Sequence, residues 1–123
     1  MNYSMLQLAS IGDAVFELFI REYLMKKNIV KVKELKEESL NYVTASKQNE
    51  LLFKLINNNI LTEEEIDIVK RGRNTKTHSK PKSCDIVIYR HATAFEALVG
   101  YLYLVGNKER LEFVLNSCVE ILK

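Results

Sequence analysis

A chain of 123 residues with 47% apolar and 28% charged side chains, one proline and four glycines has the balance of one folded domain over 1–123, not of a disordered segment. Its formal charge of +2 is too small to argue for a nucleic-acid partner, so the placement of the charges must carry any electrostatic argument. No apolar run approaches the roughly eighteen residues of a membrane span, no basic leader precedes the first apolar stretch, and Cys84 and Cys118 have neither metal-ligand nor disulfide-framework spacing, so free thiols in a cytoplasmic protein with no membrane partner are expected.

The first helix is expected over 5–26, starting near Ser4 and ending in Lys26-Lys27-Asn28. Leu8, Ile11, Ala14, Val15, Leu18 and Phe19 occupy nearly every helical offset, which predicts burial on most sides, yet Asp13 sits among them. A second helix over 33–44 is expected to turn Leu35, Leu40 and Val43 inward. A third, over 47–58, carries Leu51, Leu52, Leu55 and Ile56 and stops at Asn57-Asn58-Asn59, a residue type that tolerates left-handed backbone. Thr62 and Glu65 make a capping-box pattern for a short helix with Ile66, Ile68 and Val69.

From Lys70 to Lys82 the sequence KRGRNTKTHSKPK contains no acid and no large apolar residue. Helical spacing resumes at Cys84 and runs to Gly106, as one helix or as two joined near Arg90-His91, and residues 86–89 (IVIY) are the one place for a strand. A last amphipathic helix over 108–122 presents Leu111, Val114, Leu115, Cys118, Val119 and Leu122. The expected class is all-α. His78 and His91 lack the spacing of a zinc site.

Two deeply apolar helices each hold one acid: Asp13, and Glu96 flanked by Phe95, Leu98, Val99 and Leu102. Helical side chains lean toward the N-terminus, so the carboxylates lie over Ala9-Ser10 and Ala92-Thr93, which are small. With Gly12 and Gly100 thinning the helices nearby, the two can approach closely and leave room around the acids. One reading is structural: Asp13 pairs with an Arg or Lys, and Glu17 with Arg21 is an ordinary i,i+4 pair. The other is chemical: two carboxylates brought together need a cation between them, and oxygen ligands alone suit magnesium or manganese with a substrate phosphate.

The basic segment offers Arg71, Arg73, Asn74, Lys76, Lys80 and Lys82 to a phosphate backbone, and its lack of aromatic residues favours duplex over stacked single strands. An exposed, solvated loop fits the same composition.

IGDAVFELFIR, RGRN and YRHATAFEALVGYLYL together resemble the Mini-ribonuclease III family, the compact branch of ribonuclease III without a double-stranded-RNA-binding domain, over essentially the whole chain. The resemblance puts Asp13 and Glu96 at the catalytic, metal-binding aspartate and glutamate. Where the larger enzymes carry one more acid per motif, this sequence has Ala9 and Thr93. It further implies a homodimer with two sites along one duplex groove, Mg²⁺ (or Mn²⁺ as a substitute) with no organic cofactor, and cleavage of double-stranded RNA to 5′-phosphate and 3′-hydroxyl ends in 23S ribosomal RNA precursor maturation. A non-catalytic double-stranded-RNA-binding protein on the same fold is the rival, and two acids facing phosphate argue against it. ERLEF at 109–113 imitates the opening of the larger enzymes' first motif without its Leu-Gly-Asp, so Glu109 and Glu112 are assigned to solvent.

Overall fold

A computed structural model of the chain describes residues 2–75 and 85–122; Lys76, His78, Lys80, Lys82 and Cys84 lie outside them. The described residues form six helices and no strand: α1 (Met5–Lys26), α2 (Val32–Val43), α3 (Ala45–Asn57), α4 (Glu63–Arg73), α5 (Ile86–Leu104) and α6 (Lys108–Ile121). The all-α expectation holds.

Local chemistry sets the boundaries. Ser4 with Gln7 and Thr62 with Glu65 close reciprocal capping boxes on α1 and α4, each satisfying backbone donors that the first turn leaves free. Asn28 (φ 68°) and Asn59 (φ 55°) take left-handed backbone just past α1 and α3. The strand-like run at 86–89 is the first turn of α5, because the Asp85 carboxylate accepts hydrogen bonds from the Val87 and Ile88 amides at 2.8 and 3.4 Å and commits the chain to helix. No break occurs at Arg90-His91: α5 is one helix.

Helix α5 is the centre of the fold, with α1, α3, α4 and α6 packed around it. Phe16 of α1 and Phe95 of α5 meet edge to face, centroids 4.9 Å apart, in a core completed by Ile20, Leu51, Leu55, Leu98, Val99 and Val114. Glu65 is held in that core's margin by Arg110 of α6, whose Nε and terminal nitrogen donate to its two carboxylate oxygens, each at 2.7 Å, while the same terminal nitrogen donates to the Ile60 carbonyl at 2.6 Å. Burial pushes the Glu65 carboxyl up, and the Arg110 and Thr62 hydrogen bonds more than offset it, leaving the pKa below the usual carboxylate value.

Two burial expectations are corrected. Helix α1 is not buried on most sides: its core stripe is Leu8, Gly12, Phe16, Ile20 and Leu24, at strict four-residue spacing with Ala9 beside it. Ile11 and Leu18 are exposed, as is Asp13. Helix α1 rests chiefly on α5, with α2 and α4 at its flanks, and its apolar residues on the remaining side stay exposed. In α2, Leu35 and Val43 pack on the core but Leu40 is 57% exposed, and Ser39 is buried in its place. The inward face runs Leu35, Ser39, Tyr42, Val43, and Ser39 tolerates burial because its hydroxyl donates to the Lys36 carbonyl at 2.8 Å. Leu51, Leu52 and Leu55 of α3 are buried as expected, and Glu109 and Glu112 are exposed.

Candidate active site

The site begins with two glycines. A Cβ on Gly12 would stand 1.7 Å from the Glu96 carbonyl oxygen, and one on Gly100 would stand 1.9 Å from the Leu8 carbonyl oxygen. The backbones of α1 and α5 therefore touch, as only residues without a Cβ allow. Asp13 directly follows one contact point, and Glu96 supplies the carbonyl at it. The close approach expected from Gly12 and Gly100 sets the two carboxyl groups side by side.

Their environments differ. Asp13 is exposed, whereas Glu96 is largely buried, and burial pushes its carboxyl up to about 9. The hydrogen bond and the charge of the neighbouring Asp13 add to the rise, while Gln48 of α3 pulls against it. Among the described residues neither Asp13 nor Glu96 forms an ion pair, so the pairing of Asp13 with an Arg or Lys is not found, while Glu17 and Arg21 do make the ordinary helical pair at 2.7 Å. Ala9 and Thr93 flank the acids without joining them. Ala9 is buried, and the Thr93 hydroxyl donates back to the Tyr89 carbonyl at 3.0 Å. No third His, Cys, Asp or Glu completes a cluster among the described residues.

Sequence reasoning missed Gln48. It is 2% exposed, and its side-chain nitrogen is buried with no hydrogen-bond partner. The amide stands close enough to Glu96 to influence it, but outside hydrogen-bond geometry. The signal was present: Gln48, Leu51, Leu52 and Leu55 share one stripe of α3, and a polar residue on such a stripe is the same anomaly that singled out Glu96.

Five residues before Glu96, His91 is fixed by Asn49, with Nδ1 and Oδ1 2.8 Å apart, and by the edge of Phe53. Burial lowers its pKa, and the charge of Arg73 lowers it further, which places Arg73 near this end of α5. Arg71 instead lines a shallow depression with Glu64, Asp67 and Tyr101. Gly72 between them packs against Ala94, where an added Cβ would lie 2.9 Å from the Ala94 Cα. The two arginines thus flank the α4–α5 contact instead of forming one patch. Asn74 ends α4 and accepts a hydrogen bond from the Arg73 Nε at 3.4 Å. Lys76, Lys80 and Lys82 lie outside the described residues.

The sequence matches the Ribonuclease III domain over residues 6–107. It is 47% identical over 118 residues to a Mini-ribonuclease 3 of Symbiobacterium thermophilum, covering 96% of this chain and 89% of that one. To the Mini-ribonuclease 3 of Streptococcus pneumoniae it is 43% identical over 113 residues, with coverage of 92% and 88%. The fold superposes on the crystal structure of a Fusobacterium nucleatum protein with a TM-score of 0.83 at 36% identity, covering 97% and 93% of the two chains. With the paired acids at the glycine crossing of α1 and α5, these matches show that the chain belongs to the ribonuclease III family, in its Mini-ribonuclease 3 branch.

Proposed function

We propose that this endoribonuclease hydrolyses double-stranded RNA with Mg²⁺ held by Asp13 and Glu96, leaving 5′-phosphate and 3′-hydroxyl ends. The observation that carries the reading is the pair of adjacent carboxyl groups with no cationic side chain paired to them among the described residues. Two such groups ionise together only beside a positive charge. Two oxygen donors fit a hard divalent cation that keeps most of its waters and takes its remaining ligands from a phosphate, and Mn²⁺ fits the same set.

When bound, such a cation supplies an acidified water and neutralises charge developing on the phosphate. The protein's own residues do the rest. The backbone contact at Gly12 and Gly100 fixes the spacing of the acids. The exposed Asp13 faces solvent and the incoming strand, and the recessed Glu96 is shielded from water on its α3 side by Gln48. The charge of Arg73 reaches His91 of α5, which supports a phosphate-binding role for Arg73.

The exposed apolar residues of α1, Leu6, Ile11 and Leu18, support assembly as a homodimer, whose second site would cut the second strand of a duplex. Maturation of the 23S ribosomal RNA precursor in the cytoplasm suits such an enzyme. No described helix is long and apolar enough to cross a membrane.

The test incubates the full chain with a long RNA duplex, with Mg²⁺ or with chelator. Metal-dependent cuts in both strands are expected from the wild type and not from Asp13→Asn or Glu96→Gln. Cleavage that persists in both variants would overturn the assignment.

A further inference from the structure

Gln48 occupies a position where an apolar residue would cost less. Its neighbours on the α3 stripe are leucines, and an amide nitrogen buried without a partner is destabilising. The backbone does not impose this residue type: Thr44 caps α3 by accepting from the Lys47 amide at 3.3 Å, and the Gln48 amide donates to the Thr44 carbonyl at 2.9 Å, as any residue there would. The side-chain nitrogen is also too deep to touch a substrate. Helix α3 packs on α5 here, with Asn49 bonded to His91 at 2.8 Å, and this brings the Gln48 amide beside the Glu96 side chain.

We infer that Gln48 is a positioning residue, whose side-chain N–H takes one oxygen of the Glu96 carboxylate and so presents the other to the divalent cation. This rests on the assignment of Asp13 and Glu96 as cation ligands. Without the cation, Glu96 lies beside Asp13 and the Gln48 donor is left over. With both carboxylates turned to a shared cation, Glu96 is left with a free acceptor for the Gln48 donor of α3. The orphaned N–H thus belongs to the cation-bound arrangement, in which a hydrogen bond to the non-coordinating oxygen fixes the carboxylate's orientation.

The experiment compares wild type, Gln48→Met and Glu96→Gln as full chains without RNA. It measures Mn²⁺ binding from the electron paramagnetic resonance of the free ion, and thermal melting in chelator. Methionine keeps the length and removes the donor, and Gln48→Leu is the second variant should the first not fold. Gln48→Met is expected to bind Mn²⁺ about tenfold or more weakly, while melting in chelator at or above the wild-type temperature, because the unpartnered donor is gone. A purely structural Gln48 gives the opposite pattern, a lower melting temperature with Mn²⁺ affinity within twofold of wild type, and that result overturns the inference. Unchanged affinity with unchanged melting overturns it too. If Glu96→Gln binds Mn²⁺ as well as wild type, the ligand assignment itself has failed. If Glu96→Gln loses binding and Gln48→Met does not, only the role of Gln48 falls.

Discussion

Gly12→Ala tests the helix crossing on which the site depends. The new Cβ would lie 1.7 Å from the Glu96 carbonyl oxygen, 2.6 Å from its carbon and 2.9 Å from the Gly100 nitrogen. A carbon rests about 3.3 Å from a carbonyl oxygen at closest comfortable approach, so the shortfall is roughly 1.6 Å. All three obstructing atoms are backbone, and no rotamer change relieves them. The helices must part, and a gap of even 0.5–1 Å forfeits about a quarter to a half of the dispersion energy of the contacts across it. Those contacts include Phe16 against Phe95. Alanine's better helix propensity returns only about 1 kcal/mol. The net loss is expected at about 3–5 kcal/mol, at the severe end for a single substitution. Gly106→Ala is the control: nothing lies within 4 Å of its Cβ, and the cost is only the left-handed backbone (φ 75°), about 1–2 kcal/mol. Urea unfolding followed by circular dichroism should therefore rank wild type, Gly106→Ala and Gly12→Ala in falling order of stability. A Gly12→Ala midpoint equal to wild type would refute the close crossing.

Asp13→Asn should keep the melting temperature within a few degrees, since the side chain is exposed and in no ion pair among the described residues, while cutting the duplex cleavage rate on the order of a thousandfold or more in single-turnover assays. Without metal, the stability of the wild type should fall as pH rises. The folded Glu96 carboxyl is raised to about 9, so its contribution is complete below about 4.5 and is lost progressively up to about 9, at a slope of up to about 1.4 kcal/mol per pH unit. Urea melts in chelator across that range should show the decline, and Glu96→Gln should flatten it. Arg110→Met strands the Glu65 carboxylate and should cost about 3–5 kcal/mol, measurable by the same melts, whereas pairing it with Glu65→Leu should restore much of the loss. If Arg73 contacts phosphate, Arg73→Ala should lower the log–log salt slope of duplex binding by about one per site, and an unchanged slope would remove it from the interface.

The parts of this structure legible in the sequence are those decided within a few residues. The helix start near Ser4, the capping box at Thr62, the asparagine stop after α3 and the apolar stripes of α3 and α6 are local chemistry, and all are found. The acids could be singled out because a carboxyl among apolar neighbours is an anomaly, and the glycines because a helix rarely keeps them without cause. What could not be read is which side of each helix finds a partner. Leu40 and Ile11 are as apolar as the residues buried beside them, and only the placement of α5 and α1 decides that they stay outside. For the same reason Asp13 read as buried: its burial depends on a face that α1 leaves open. Gln48 reaches the site across a distance of 48 residues from Glu96, and that pairing exists only once α3 has docked on α5.

The sparse packing of α2 separates the molecule's breathing from its chemistry. Its sole buried residue is Ser39, and it leans chiefly on α1 and α3, whereas α5 is enclosed by four helices. Opening α2 exposes little apolar surface and should occur as a low-energy subglobal event, its amides exchanging with solvent long before those of α5. Asp13, Gln48 and Glu96 lie on α1, α3 and α5, so they stay assembled through that fluctuation. Increasing denaturant should then leave each folded molecule catalytically intact until the slowest-exchanging helices give way, with activity lost along the global unfolding curve and not ahead of it.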